Sequence, residues 1–121
     1  MGKIMHVQQG DWEVLESSTK PVLVDFWAEW CPPCRMLAPT FEKLAATYGD
    51  EINFAKVNVD ELPEVACQYG IRSIPTLLLL REGKVVENLV GTRPYNDLAC
   101  VLDRHVKATE NLRPTASRLV N

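Results

Sequence analysis

The chain has few of the residues that crosslink a protein or bind a metal: four cysteines and two histidines among 121 residues. Cys31 and Cys34 form its one Cys-x-x-Cys pair. The remaining candidates stand alone along the chain: His6, Cys67, Cys100 and His105. A disulfide-stapled small domain needs more cysteines, and a structural zinc site needs a second compact group of ligands. The sequence therefore disfavours both, and leaves Cys31 and Cys34 as a candidate redox pair.

The chain also has no long apolar run and no excess of basic residues. No segment approaches the roughly 18 apolar residues of a membrane-spanning helix, and residues 1–8 lack the apolar core of a secretory signal. The formal net charge is −3, which argues against nucleic acid or an anionic membrane surface as a partner. We therefore expect a cytoplasmic, monomeric protein without membrane insertion.

The most informative stretch is residues 30–34, which follow a predicted strand and begin a predicted helix. Residues 22–28 are apolar on both faces except for Asp25, a pattern typical of a strand buried on both sides. Apolar residues then recur at helical spacing from Met36 to Ala45. The cysteine pair therefore lies in the first turn of a helix, close enough to form a disulfide. Free backbone N–H groups and the helix dipole favour a thiolate there.

This arrangement suits reversible thiol–disulfide exchange. Cys31 is nearest the helix start and is predicted to face outward, so it is the expected attacking nucleophile. Cys34, one turn into the helix and backed by apolar residues, is the expected resolving thiol. A purely structural disulfide is disfavoured because this spacing closes almost no loop. Pro32 and Pro33 occupy the first two helical positions, where their missing N–H groups cost no hydrogen bond, and they stiffen the approach to the site.

Around these cysteines the chain resembles the thioredoxin family, over roughly residues 3–107. The similar parts are residues 24–34, Pro39, residues 56–60, residues 69–76 and Gly91. The family usually has glycine where this chain has Pro32, which we expect to change the redox potential. The resemblance implies a thiol–disulfide oxidoreductase, most simply a protein-disulfide reductase. It would need no bound cofactor beyond the Cys31–Cys34 disulfide, and a thioredoxin reductase or a similar electron donor would recharge it.

Asp25 is the one charged residue on the predicted central strand. A buried carboxylate is costly, so we expect its pKa to be raised. The resemblance implies that Asp25 lies beneath Cys34 and takes the proton of that thiol, with Lys56 on the neighbouring strand as its partner. The alternative is a hydrogen-bonded carboxylate with a structural role.

A substrate groove is implied near the bond between Ile74 and Pro75. X–Pro bonds are rarely cis, but the resemblance implies a cis bond here, opposite the cysteines. It would expose the backbone of Ile74 to an extended substrate. Trp30, with Ile74 and Gly91, would then form an apolar floor, and Pro32 and Pro33 would border it. Simple packing is the alternative for Trp30.

The remaining pattern predicts one α/β domain, with a thioredoxin fold as the resemblance implies. Strands are predicted over 3–7, 22–28, 52–59, 76–80 and 84–90, and helices over 11–17, 32–48, 62–69 and from Pro94 onward. This order favours a five-stranded mixed sheet of three parallel strands plus an antiparallel hairpin, flanked by four helices. The domain is expected over residues 1–107, followed by a tail or loosely docked extension over 108–121. Cys67 fits a small buried residue, whereas helical phase predicts that Cys100 is partly exposed.

Two other functions remain open. The same fold could serve as an oxidase or isomerase of an oxidising compartment, which a measured redox potential would distinguish from a reductase. It could also serve as a binding or accessory module, or as a holdase, and such a protein would tolerate replacement of the cysteines.

Overall fold

The computed structural model describes residues 3–110, which form five strands and four helices. They are β1 (Ile4–His6), α1 (Trp12–Glu16), β2 (Val22–Trp27), α2 (Pro32–Tyr48), β3 (Asn53–Asn58), α3 (Pro63–Gln68), β4 (Thr76–Arg81), β5 (Lys84–Val90) and α4 (Tyr95–Glu110). The predicted elements are confirmed to within one residue at their predicted ends. Helix α4 continues beyond the predicted domain boundary at residue 107. Most of the predicted tail, residues 111–121, lies outside the described residues.

The strands form one sheet in the order β1-β3-β2-β4-β5. Strands β1, β3 and β2 are parallel, whereas β4 and β5 form an antiparallel hairpin paired to β2. This confirms the predicted mixed sheet. In the register, Asp25 of β2 lies beside Lys56 of β3 and Leu77 of β4. Strand β2 is thus the central strand, and its carboxyl end leads directly into the cysteine pair.

Two apolar cores cover the two faces of the sheet, and β2 contributes to both. Val24 and Phe26 lie in the core beneath α1 and α3. Leu23 points to the opposite face and packs in the core with α2 and α4. Because successive side chains of a strand alternate between faces, a strand buried on both sides needs apolar residues at every position. That requirement explains the nearly continuous apolar sequence of β2.

The core beneath α2 depends on Phe41, which is fully buried and meets the ring of Phe54 edge-on, with 5.4 Å between centroids. We expect Phe41→Ala to lower the free energy of unfolding by about 3–5 kcal/mol, because it removes the contacts of a buried ring and leaves a cavity. Met36 on the same helix is 72% exposed, so Met36→Ala should change stability by less than about 0.5 kcal/mol. Urea denaturation of both variants measures the difference. Equal losses would contradict the burial of Phe41.

The two cysteines outside the active pair are both free and exposed. The prediction for Cys100 is confirmed, whereas the prediction that Cys67 is buried is wrong. Helix α3 has only six residues, and it buries just Val65 and Ala66 against the sheet. Each further residue turns by about 100° around the helix axis, so Cys67 faces solvent.

Candidate active site

Cys31 is the N-cap of helix α2 and directly precedes its first residue, Pro32. The Cys31 backbone is extended, with φ −103° and ψ 102°, and its Sγ accepts a hydrogen bond from the Cys34 N–H at 3.2 Å. Pro32 and Pro33 occupy the first turn and have no N–H group. The first amide donor of the helix is therefore that of Cys34, and it is directed at the Cys31 sulfur.

Cys31 and Cys34 are joined by a disulfide, with their Cα atoms 5.3 Å apart. Both are buried, with 3% and 2% of their surface exposed, and they cluster with Ala28. The prediction for Cys34 agrees with this, but the prediction that Cys31 faces outward is wrong for the oxidised protein. Its sulfur is bonded back to Cys34 and lies 3.8 Å from the carbonyl oxygen of Ile74. Cys31 is thus held against the segment predicted to bind substrate.

Asp25 is buried in the middle of β2, with 1% of its surface exposed. Neither carboxylate oxygen has a hydrogen-bond partner among the described residues. Burial raises the pKa of Asp25 from 3.8 to about 7, and the positive charge of Lys56 opposes that rise. The alternative of a hydrogen-bonded structural carboxylate therefore finds no protein partner among the described residues. A carboxyl with a pKa near 7 can take up and release a proton at neutral pH.

Lys56 acts on Asp25 through its charge and not through a direct ion pair. Its Nζ lies over the Trp27 ring, 4.6 Å from the ring centroid. In the part of the chain that the structure describes, the ion pairs within 4.0 Å all involve Glu87. The aromatic ring therefore holds the lysine near Asp25 in the register of β2 and β3.

We expect Lys56→Gln to raise the pKa of Asp25 above about 7, because the substitution removes the positive charge that lowers it. An NMR titration of the Asp25 carboxyl carbon measures the change. Lys43→Gln is the matched control, since Lys43 lies over Tyr95 on the helical layer. An unchanged Asp25 titration in Lys56→Gln would show that the two charges are not coupled.

The Ile74–Pro75 peptide bond is cis, as the resemblance implied. The Ile74 carbonyl oxygen lies beside the Cys31 sulfur. Gly91 supports this segment, because its N–H donates a hydrogen bond to the Pro75 carbonyl at 2.8 Å. Gly91 has φ +88°, in the left-handed region that glycine adopts without strain. Gly91 is therefore suited to position the cis-proline segment.

Trp30 stands beside the disulfide with 66% of its surface exposed, which excludes a core-packing role. Its Nε1–H donates a hydrogen bond to Oδ2 of Asp60 at 2.8 Å. Asp60 was not among the predicted site residues. It follows β3, whose carboxyl end lies at the same edge of the sheet as that of β2, and this position could have identified it. The structure thus places the Trp30 ring at the surface, oriented by its hydrogen bond to Asp60.

Other kinds of site find no support within residues 3–110. No group of three or more His, Cys, Asp or Glu side chains there is placed to hold a metal ion. None of the described helices is both long enough and apolar enough to cross a lipid bilayer.

The chain matches the family model of thioredoxin over residues 3–104. It is 56% identical over 94 residues to "Thioredoxin 1" of Synechococcus elongatus, which covers 78% of this chain and 87% of that protein. It is 54% identical over 94 residues to a thioredoxin of Chlorobaculum thiosulfatiphilum, with coverage of 78% and 86%. It is 41% identical over 107 residues to the thioredoxin of Haemophilus influenzae, with coverage of 88% and 100%. These matches, with the disulfide at the start of α2, show that the chain belongs to the thioredoxin family.

Proposed function

We propose that this thiol–disulfide oxidoreductase reduces protein disulfides, with Cys31 as the attacking nucleophile and Cys34 as the resolving thiol. The observation that carries the proposal is the Cys31–Cys34 disulfide at the N-terminus of α2. The Cys34 N–H reaches the Cys31 sulfur, so the same hydrogen bond can stabilise a Cys31 thiolate after reduction. Cys34 has no comparable donor among the described contacts.

The reaction begins with the reduced, dithiol form. The Cys31 thiolate attacks one sulfur of the substrate disulfide, that S–S bond breaks, and the leaving sulfur takes up a proton. Cys34 then loses its proton, for which the Asp25 carboxylate is the proposed acceptor, and attacks the Cys31 sulfur. The Cys31–Cys34 bond forms, the bond between Cys31 and the substrate breaks, and the second substrate sulfur leaves as a thiolate that takes up a proton, so that two electrons have passed to the substrate. A thioredoxin reductase or a similar dithiol donor returns the pair to the reduced form.

We place substrate binding beside the disulfide, where the carbonyl of half-buried Ile74 lies next to the Cys31 sulfur. An extended substrate segment would pair there with the Ile74 backbone before the cis proline. Trp30 offers a large exposed ring next to the point of attack, and the exposed Pro32 and Pro33 border it. Tryptophan on a contact surface contributes binding area without much loss of side-chain entropy.

We expect Trp30→Ala to raise the KM for a protein disulfide about tenfold, which corresponds to about 1.4 kcal/mol of binding. Stability should change little because the ring is mostly exposed. Trp30→Phe is the matched control: it keeps an aromatic face but loses the hydrogen bond to Asp60. Steady-state kinetics with insulin as substrate measure the effect. An unchanged KM in Trp30→Ala would show that Trp30 does not contribute to substrate binding.

An insulin-reduction assay with candidate electron donors tests the function. Catalysed turnover with a dithiol donor is expected, together with a potential reducing enough to favour substrate reduction. A strongly oxidising potential would instead favour the oxidase or isomerase alternative. A protein that keeps its cellular role after replacement of both cysteines would be a binding module or holdase, and the proposal would be wrong.

The proposed setting is a cytoplasmic, monomeric protein whose domain is formed by residues 1–107 with the last turn of α4. Cys67 and Cys100 support a reducing compartment, because both are exposed and unpaired and such thiols persist best where disulfides do not accumulate. Cell fractionation and analytical ultracentrifugation test the location and the oligomeric state.

A further inference from the structure

An open cavity lies at the end of the sheet opposite the cysteines. It has a volume of about 740 Å³ and is formed by the start of β1, the end of α1 and the start of β3. We call it the basal groove, and its apolar walls are Ile4, Met5, Val14, Leu15 and Phe54. Met5 and Val14 are 43% and 67% exposed. Large apolar side chains that share one cavity and face solvent indicate a surface that binds another segment.

A second cavity of about 290 Å³ continues the basal groove toward α4. Thr19 lines both cavities. The second cavity is lined by residues of both charges and by apolar surface: Lys20 and Pro21 before β2, Asp50 and Glu51 after α2, Arg81 of β4, and His105 and Val106 of α4. His105 and Val106 of α4 line the second cavity, and Glu110 is the last residue of α4 that the structure describes. The segment after Glu110 therefore begins about one helical turn beyond the depression that the two adjoining cavities form.

We propose that residues 111–121 dock along this depression, with the apolar pair Leu119 and Val120 in the basal groove. The distance allows it. From β4 to β1 the sheet spans three interstrand steps, about 15 Å. The eleven residues after Glu110 can reach about 36 Å when extended.

Charge and composition favour the same occupant. Residues 1–110 contain eleven Lys and Arg against sixteen Asp and Glu, a formal net charge of −5. Residues 111–121 contain two arginines, Arg113 and Arg118, and no acidic residue. Asp50 and Glu51 lie on the route between α4 and the basal groove. Lys20 and Arg81 line the same cavity as Asp50 and Glu51, and Lys3 lines the basal groove, so the charges along the route are mixed. The positive charge of the segment therefore matches the net negative charge of residues 1–110 as a whole, and its apolar pair matches the apolar walls of the basal groove.

Two reciprocal variants of the full chain test the proposal. Leu119→Ser changes the segment and is read out at the Met5 methyl group by NMR, with the Met36 methyl group on α2 as the internal control. Val14→Gln changes the groove and is read out as the rate of tryptic cleavage after Arg118, since Arg113 precedes a proline and resists trypsin. Val86→Gln is its matched control, because Val86 is also an exposed valine but lies on β5.

We expect Leu119→Ser to shift the Met5 methyl resonance and to leave that of Met36 in place. We expect Val14→Gln to speed cleavage after Arg118 about tenfold, which is the loss of about 1.4 kcal/mol of docking free energy, and Val86→Gln to leave it unchanged. Unfolding midpoints equal to the parent's would show that neither exposed substitution acts through the fold. An unchanged Met5 resonance, or equal cleavage in both valine variants, would overturn the proposal. So would a Met5 shift that depends on protein concentration, since a second copy would then supply the segment.

Discussion

Cys34→Ser should accumulate mixed disulfides with protein substrates, whereas Cys31→Ser should form none. In the first variant Cys31 can still attack a substrate disulfide, but no thiol remains in position to release it. In the second variant the sulfur at the helix N-cap is gone, and Cys34 has no hydrogen-bond donor among the described residues comparable to the Cys34 N–H that reaches Cys31, so its thiolate is not stabilised for attack. Both variants should lose essentially all turnover, because the two cysteines act as one unit.

Non-reducing electrophoresis of the variants with an excess of substrate measures the trapped mixed disulfide. Dithiothreitol should reduce this disulfide and release the substrate. Both experiments belong in a background that also carries Cys67→Ser and Cys100→Ser, because those exposed thiols can form mixed disulfides of their own. Equal trapping by the two active-site variants in that background would contradict the assignment of Cys31 as nucleophile and Cys34 as resolving thiol.

Asp25→Asn should give a more stable protein at neutral pH, by as much as about 4 kcal/mol. The carboxyl has an ordinary pKa of 3.8 and a folded-state pKa of about 7. Each pKa unit corresponds to about 1.36 kcal/mol, so ionising this group inside the fold costs several kilocalories per mole. The gain is an upper bound because the asparagine amide also needs hydrogen-bond partners that the site does not offer.

The difference between Asp25→Asn and the parent should depend on pH in a defined range. Below about pH 4 the carboxyl is protonated in both folded and unfolded chains, so ionisation does not affect folding. Between about pH 4 and 7 the unfolded chain ionises and the folded one does not, so the parent loses stability as pH rises. Above about pH 7 both forms are ionised, and the difference reaches a plateau.

Urea denaturation of both proteins from pH 4 to 8 measures this curve. Glu61→Gln is the matched control, because it neutralises an exposed carboxyl and should produce no comparable slope. The Asn variant should also reduce insulin more slowly near neutral pH, since its side chain cannot accept the Cys34 proton. A stability gain without pH dependence would contradict a buried Asp25 with a raised pKa. An unchanged rate of insulin reduction would show that Asp25 is not the proton acceptor for Cys34.

The local pattern of the chain was enough to predict the elements and the position of the cysteine pair. Apolar periodicity and the placement of glycine and proline depend on neighbours in the sequence, so the predicted ends lie within one residue of the observed ones. The cis bond before Pro75 is different: intrinsic X–Pro preference opposes it, and only the family resemblance indicated it.

What the sequence by itself determined was which residues form each strand and helix, and that two cysteines start a helix after a strand buried on both faces. The tertiary structure decided the contacts between distant residues: the bond from Trp30 to Asp60, the position of Lys56 over Trp27 and the burial of Cys31 against Ile74. It also decided that Cys67 faces solvent. The physical reason is that periodicity assigns a side chain to a face of its own element, whereas burial and partners depend on which other elements cover that face.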